Sequence, residues 1–375
     1  MSKLKKITIG ILVLFNTLFA FALAGSCYGS QLGDGKYWFI AVLSLFSLFF
    51  LAAVVLFFII WLFVKPRFAL ISIIAVVVCW KPIQHIFQFR INNDFNNKKN
   101  GRTIRVMSWN VEHFNMLQFR KHPERKSQMI DFINKIDPDI ACFQEMVAGE
   151  DRKKCINTVA EFKRKFSFGS SYYVYDNAFD FDQNHHFGII IYSKYPIINM
   201  QRVVSDPTEY NSIFQYVDVV KNNDTFRVFN IHLQSLRFTN DNRKYIDNPG
   251  ITGENDWEAT KNILIKYKTG TEKRHRQSDY IRKSVEESPY PVILCGDFND
   301  VPNSYAYNRI GEGLNNAFAV MGSGISNTYD GLSPTLRIDN IFTDKSFDIV
   351  QYNRFVKKFS DHFPIVADLV YNQSN

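Results

Sequence analysis

The sequence predicts an α/β domain, with both faces of its sheets covered, behind an apolar N-terminal region of about three helices able to span a bilayer. Two observations carry this. Phe is densest before Phe89, with 12 of the 35 Phe residues in the first 88 positions, so the two parts of the chain face different surroundings. Beyond residue 101, short runs of β-branched and aromatic residues alternate with stretches of helical periodicity. The 375 residues suffice for one large domain and an accessory region.

Residues 1–90 read as a transmembrane anchor with helices over about 7–25, 38–64 and 68–87. Ile7–Gly25 follows the basic start Met-Ser-Lys-Leu-Lys-Lys. Trp38–Val64 carries no charge and exceeds the roughly 20 residues that cross a bilayer. Phe68–Trp80 reaches spanning length when it runs on to about Phe87, and Lys65-Pro66-Arg67 is the turn before it. A signal peptide ending near Ala22-Leu23-Ala24-Gly25 is the alternative for the first stretch. Its long apolar core and the helix that follows favour an uncleaved span.

Lys3, Lys5, Lys6, Lys65 and Arg67 favour a cytoplasmic N-terminus and a cytoplasmic turn. Three crossings then place the rest of the chain outside the cytoplasm, as an extracytoplasmic domain on a multi-pass cell-membrane protein. Lys81, Arg90, Lys98 and Lys99 run against this orientation. Residues 91–101 are polar and Asn-rich and read as a linker.

In 102–372, strand-like runs occur at Ile104–Trp109, Asp139–Phe143, Gly188–Tyr192, Phe214–Val219, Phe226–Ile231, Val292–Cys295, Ile338–Phe342 and Ile365–Leu369. Arg125–Ile136 and Glu272–Glu286 read as helices. Thr239–Trp257 is long and polar and reads as an inserted surface loop. The net charge of +8 is concentrated at the N-terminal end. Residues 1–105 hold twelve Lys/Arg against Asp34 and Asp94, which leaves 32 basic and 34 acidic residues beyond. That near-neutral remainder lacks the broad basic footprint expected of a nucleic-acid binder. The five Cys form no CxxC or Cys/His cluster, which argues against a structural zinc site. Cys142 and Cys295 read as buried small hydrophobes.

Polar residues stand at the ends of these strands, where a strand fixes position and a loop exposes the side chain. They are Asn110 and Glu112, Gln144 and Glu145, His232, Asp297 with Asn299 and Asp300, Arg337 with Asp339, and Asp361 with His362. Carboxylates, carboxamides and histidines with no nucleophile elbow suit a hard cation such as Mg²⁺ or Mn²⁺. Each segment alone has a plain reading as a cap or turn; six in order, each at a strand end, do not. His185 and His186, as neighbours in an extended segment, point to opposite faces and read as loop or rim residues.

The set resembles the endonuclease/exonuclease/phosphatase superfamily, in particular its membrane-anchored bacterial-type members. The resemblance rests on Val106–Glu112, Phe143-Gln-Glu145, Gly188–Pro196, Asn230-Ile-His-Leu233, Gly296-Asp-Phe-Asn299, Arg337-Ile-Asp339 and Ser360-Asp-His362. It implies a four-layer α/β/β/α sandwich of two mixed sheets with the site at one edge. It implies Glu145 as principal metal ligand for Mg²⁺ or Mn²⁺, with Glu112 and Asp361 assisting. Asp297 would orient or deprotonate the attacking water, and Asn110 would help position metal or phosphate. Asn299, His232 and Arg337 would bind substrate. His362 would stabilise the transition state, oriented by Asp339. Many members carry Tyr where this chain has Asn340.

The implied function is a membrane-anchored, metal-dependent hydrolase of phosphate esters. Its partners would be the bilayer and a nucleic acid, a phospholipid head group or a small phosphate. The alternative is a non-catalytic tethered binding or scaffold module that keeps the fold, which predicts losses among the site segments.

Overall fold

The computed structural model describes residues 3–32, 38–90, 94–116, 118, 120–149, 157–182, 184–205, 213–248, 250, 254–331, 333 and 335–372. Five helices open the chain: α1 (Lys3–Tyr28), α2 (Trp38–Leu45), α3 (Ser47–Val64), α4 (Ala69–Val78) and α5 (Trp80–Ile86). Alternating strands and helices follow: β1 (Thr103–Asn110), α6 (Arg125–Ile136), β2 (Ile140–Ala148), α7 (Thr158–Lys165), β3 (Ser170–Asp182), β4 (His185–Ser193), β5 (Ile197–Val204), β6 (Ile213–Lys221) and β7 (Asp224–His232). The chain continues through α8 (Asn240–Asp247), α9 (Glu254–Glu286), β8 (Val292–Asp297), α10 (Tyr305–Ile310), β9 (Asn315–Asn316), α11 (Ala317–Met321), β10 (Asp339–Thr343), β11 (Phe347–Arg354) and β12 (Ile365–Tyr371).

The strands form two six-stranded sheets, ordered β11-β12-β1-β2-β4-β3 and β5-β6-β7-β8-β10-β9. The period of two along each strand sends alternate residues to opposite faces and so builds three cores. Val106, Cys142, Val228, Ile293 and Cys295 fill the space between the sheets. Met107, Trp109 and Phe143 face outward onto Met129 and Ile133 of α6 and Phe162 of α7. Phe229, Ile231 and Leu294 face outward onto Ile281 and Val285 of α9 and Ile310 of α10. Helix, sheet, sheet and helix are therefore stacked as four layers, with both internal thiols buried as small hydrophobes.

Each sheet has one parallel pair at its centre, β1 with β2 and β7 with β8. A parallel pair brings two strand C-termini to the same end, where open α/β sheets bind ligands. Here both pairs end at the same edge of the sandwich.

The apolar helices form an antiparallel bundle. Ile9 of α1 packs with Trp61 of α3 and Ala69 of α4 at one end. Leu23 and Cys27 of α1 pack with Leu51 and Val54 of α3 and with Cys79 and Ile83 at the other. Among the described residues, two helices, α1 and α3, are long and apolar enough to cross a membrane, and the pair Pro66–Val78 and Trp80–Ile86, bent by 71°, makes a third if it counts as one span. The second span expected over 38–64 is broken at Phe46, which has φ −100° and ψ 4°.

Among the described residues, the second end of the bundle touches the sandwich, through Ser30 to the Asn303 carbonyl, Asn303 Nδ2 to the Pro82 carbonyl (3.1 Å) and Tyr267 to the Ala41 carbonyl (3.0 Å). Residues 94–101 lie along β1 rather than hanging free. The buried Arg105 guanidinium binds Asp368 (2.7 Å) and donates to the carbonyls of Asn96 and Asn97.

The loop expected over Thr239–Trp257 holds α8 and the start of α9. Thr239 caps α8: its hydroxyl accepts from the Asn242 backbone, while the Asn242 side chain accepts from the Thr239 backbone. His185 and His186 lie in β4 rather than in a loop, with His186 stacked on Tyr175 at 4.0 Å.

Candidate active site

At the shared edge, register alone brings the second sheet's residues together. His232 at the end of β7 is opposite Asp297 at the end of β8, and Asp297 is opposite Asp339 at the start of β10. This requires β7 and β8 to approach closely beside Asp297. Gly296 permits it: its φ is 155°, and a Cβ there would lie 2.1 Å from the Ile231 carbonyl oxygen.

The first sheet supplies Asn110 and Glu145. The pairing of β2 with β4 shifts between Phe143 and Met146, and Glu145 in this bulge has φ 53°. The bulge turns the carboxylate out of the ladder into the site. After β1, Glu112, His113, Phe114 and Asn115 have φ of 42°, 61°, 50° and 61°. Left-handed geometry costs an L-residue roughly 1–2 kcal/mol, so this run is held by its surroundings. Phe114 is buried against Phe143 and Phe162 and anchors it.

Asn110 joins the two halves. Its amide donates to Glu145 Oε1 and to Asp297 Oδ2, each at 3.1 Å. His232 Nε2 lies 3.5 Å from Asp297 and 3.8 Å from Glu145. His362 Nδ1 is 2.9 Å from Asp339 Oδ2, and its Nε2 is 3.7 Å from Asp297 Oδ2. The His362 backbone is fixed by Ser360, whose hydroxyl also donates to the Asn110 carbonyl. Asn299 donates its backbone N–H to Asp297 Oδ1 (2.8 Å) and its amide to the Leu233 carbonyl (3.0 Å).

Charge follows this geometry. Burial works to neutralise His362, but the Asp339 and Asp297 carboxylates outweigh it and hold the imidazolium well above the ordinary histidine value. Burial also pushes the Asp297 carboxyl up, against the opposing pull of His362. Glu145 sits below its ordinary value despite burial, because His232, His113 and Asn110 favour its anion. Glu112 and Asp361 are raised, first by burial and then by neighbouring carboxylates: Asp361 and Glu145 for Glu112, and Glu145 and Asp297 for Asp361.

Among the described residues, a cation could be held by either of two groups at this edge. Ligand atoms of Asp297, Asp339 and His362, all buried, lie within 4.8 Å of one another. One ring nitrogen of that group is already spent on Asp339. Glu145, Glu112 and Asp361 offer oxygen only, repel one another, and leave Glu145 partly exposed, at 31 % for its side chain. That donor set suits a hard divalent ion better.

A cavity opens over the cluster. Glu145, Asp297, Asn299, Asp361 and His362 line it together with the buried Tyr329, and the exposed Arg237 and Arg243 stand at its rim. Arg337 does not belong to it. The expectation that Arg337 reaches substrate gives way to a guanidinium turned into the core, bound to Asn340 Oδ1 (2.9 Å) and the His85 carbonyl and lying over the Phe318 ring at 4.1 Å. His113, 3.5 Å from Glu145, and the rim arginines were not singled out by sequence reasoning. The adjacency of His113 to Glu112 was the available signal.

The family model for the Endonuclease/Exonuclease/phosphatase family matches residues 107–362. A domain of unknown function (DUF8431) matches residues 9–86. No curated protein matches. Among solved structures, the human Nocturnin catalytic domain with bound sulfate anion is similar at 18 % identity and TM-score 0.51, over 72 % of this chain and 94 % of that one. An endonuclease/exonuclease/phosphatase from Bacteroides vulgatus is similar at 17 % and 0.51, over 72 % and 99 %. One from Beutenbergia cavernae DSM 12333 is similar at 17 % and 0.50, over 72 % of each chain.

Proposed function

Because the chain belongs to the Endonuclease/Exonuclease/phosphatase family, we propose that it is a divalent-cation-dependent hydrolase of phosphate esters, anchored in a membrane by residues 1–90, with residues 102–372 as the catalytic domain. The observation that supports this most is the single constellation of Asn110, Glu145, His232, Asp297, Asp339 and His362, drawn from both sheets and bonded as an acid–base cluster.

Glu145, with Glu112 and Asp361, would hold Mg²⁺ or Mn²⁺. When bound there, the ion supplies charge to polarise a phosphoryl oxygen and to stabilise the leaving oxygen. Asp297, fixed by Asn110 and the Asn299 backbone, orients a water in line with phosphorus and takes its proton. Its raised carboxyl suits a proton acceptor. His362 stays cationic between Asp339 and Asp297 and faces the charge that grows on the phosphoryl oxygens. Asp339 keeps the ring in orientation through Nδ1. Asn299 and the rim residues Arg237 and Arg243 bind the phosphate, with His232 beside Glu145 and Asp297 contributing from below.

The bundle supports an extracytoplasmic domain. The end that holds Lys3, Lys5, Lys6, Lys65 and Arg67 is the one away from the sandwich, and basic residues favour the cytoplasmic side.

The test is a substrate panel on the full chain in detergent, with Mg²⁺ or chelator, beside Asp297→Ala. Plasmid DNA, RNA, phospholipids, phosphoinositides and bis-p-nitrophenyl phosphate make up the panel. Turnover that needs metal and disappears in the variant is expected. Folded protein with no turnover, or a variant as active as wild type, would sink the assignment.

A further inference from the structure

Resting on the hydrolase reading above, we infer that the N-terminal bundle forms one wall of the active site, and that the substrate is an amphiphilic phosphate ester whose apolar tail stays in the bilayer. The cavity over Asp297 and His362 does not end within the sandwich. It continues past Leu236, Phe238, Tyr267 and Val301 to Leu45, the last residue of α2. The α2 helix carries no charged residue, and the buried Tyr267 hydroxyl binds it to the sandwich through the Ala41 carbonyl.

Leu45 directly precedes the break at Phe46, and from there apolar surface runs outward. Phe39 of α2, Phe46 at the break and Phe49 of α3 are 55 %, 47 % and 55 % exposed, and α3 is long and apolar enough to cross a membrane. Near α2, α9 exposes Trp257, Leu264 and Ile265, whose spacing puts them on one helical face. Trp80 stacks on Phe89 at this same end, as aromatic residues do at a membrane–water boundary. The cavity mouth is thus flanked by the surfaces that would meet the bilayer.

A tail that passes from bilayer to Leu45 stays out of water throughout, while the phosphate meets Arg237 and Arg243 before the carboxylate cluster. A nucleic acid or a free sugar phosphate has no group to place against Leu45. In the reaction the water oxygen forms a new bond to phosphorus, the bond from phosphorus to the leaving oxygen breaks, and the leaving oxygen takes up a proton. No other reactant is needed. A glycerophospholipid head group and a prenyl phosphate both offer this chemistry.

The experiment compares, on the full chain in mixed micelles with Mg²⁺, long-chain phosphatidylglycerol with its dihexanoyl form, and a long prenyl phosphate with dimethylallyl phosphate. In one pair, which names the source, the long form is expected to exceed the short by about tenfold or more in kcat/KM, mostly through KM. Leu45→Asn should remove most of that preference. Leu62→Asn, at the far end of α3, should keep it. The wild-type chain-length comparison stands even where a variant fails to fold. Equal kcat/KM for long and short forms, or DNA or RNA as the best substrate, with Asp297→Ala inactive, overturns this inference and leaves the hydrolase. Loss of all metal-dependent turnover from folded wild type overturns both.

Discussion

The two sheets bring their residues to the site in different ways. In the sheet that holds β7, β8 and β10, the site follows from straight pairing, with His232 opposite Asp297 and Asp297 opposite Asp339. In the sheet that holds β1 and β2, pairing is interrupted. Glu145 sits in a bulge at φ 53°, and Glu112 to Asn115 run left-handed. Such positions cost about 1–3 kcal/mol each and persist because neighbours hold them. The half proposed for acid–base chemistry is therefore built with the grain of its sheet, and the half proposed to hold the cation against it. Asn110 is bonded to both and keeps them in step.

Substitutions in each half should separate these contributions. The largest effect is expected at Asp297→Asn, which keeps shape but loses the base: kcat should fall by about 10²–10⁴-fold at saturating Mg²⁺. A Mg²⁺ titration that also shifted would mean the two halves are not distinct. Next is Glu145→Gln, where the Mg²⁺ midpoint should rise by at least about tenfold, the loss typical of even a supporting contact at a metal. Recovery of rate at high Mg²⁺ would sharpen the division; an unchanged midpoint would break it.

Stability offers a smaller contrast. Gly296→Ala forces a Cβ against the Ile231 carbonyl and should cost more than about 1 kcal/mol in chemical denaturation. Glu145→Gly should do the opposite, raising stability by about 1 kcal/mol as the left-handed strain is relieved, although activity is lost. If Glu145→Gly instead destabilises the fold, the strained half is better supported by its contacts than its dihedrals suggest.

The same contrast decides what the sequence made legible. His232, Asp297, Asp339 and His362 stand at strand ends, and regular strands are readable from their period of two, so their convergence could be expected. The four-layer stack follows from the same period. His113 could not be placed, because only a left-handed run after β1 turns it toward Glu145, and four non-glycine residues give no sign of one. Arg243 was hidden by the polarity of Thr239–Trp257, which resembles a loop until the reciprocal bonds of Thr239 and Asn242 are seen to start a helix. Arg337 was misplaced for a different reason. A motif position fixes the backbone, whereas the direction of a long side chain depends on what packs beside it, and here that is α5.

Arg337 lies two residues before Asp339. Its guanidinium is buried, has no carboxylate partner among the described residues, and takes one of its acceptors from His85 in the bundle. A truncated protein starting near residue 102 would lose that acceptor and the packing of α5 over the Arg337 guanidinium beside β10. Loss of a partner from a buried charge is costly. The helices thus complete the packing around β10, and trimming them away to obtain a soluble fragment should yield a less ordered Asp339 and weaker turnover, even toward substrates that never touch a membrane.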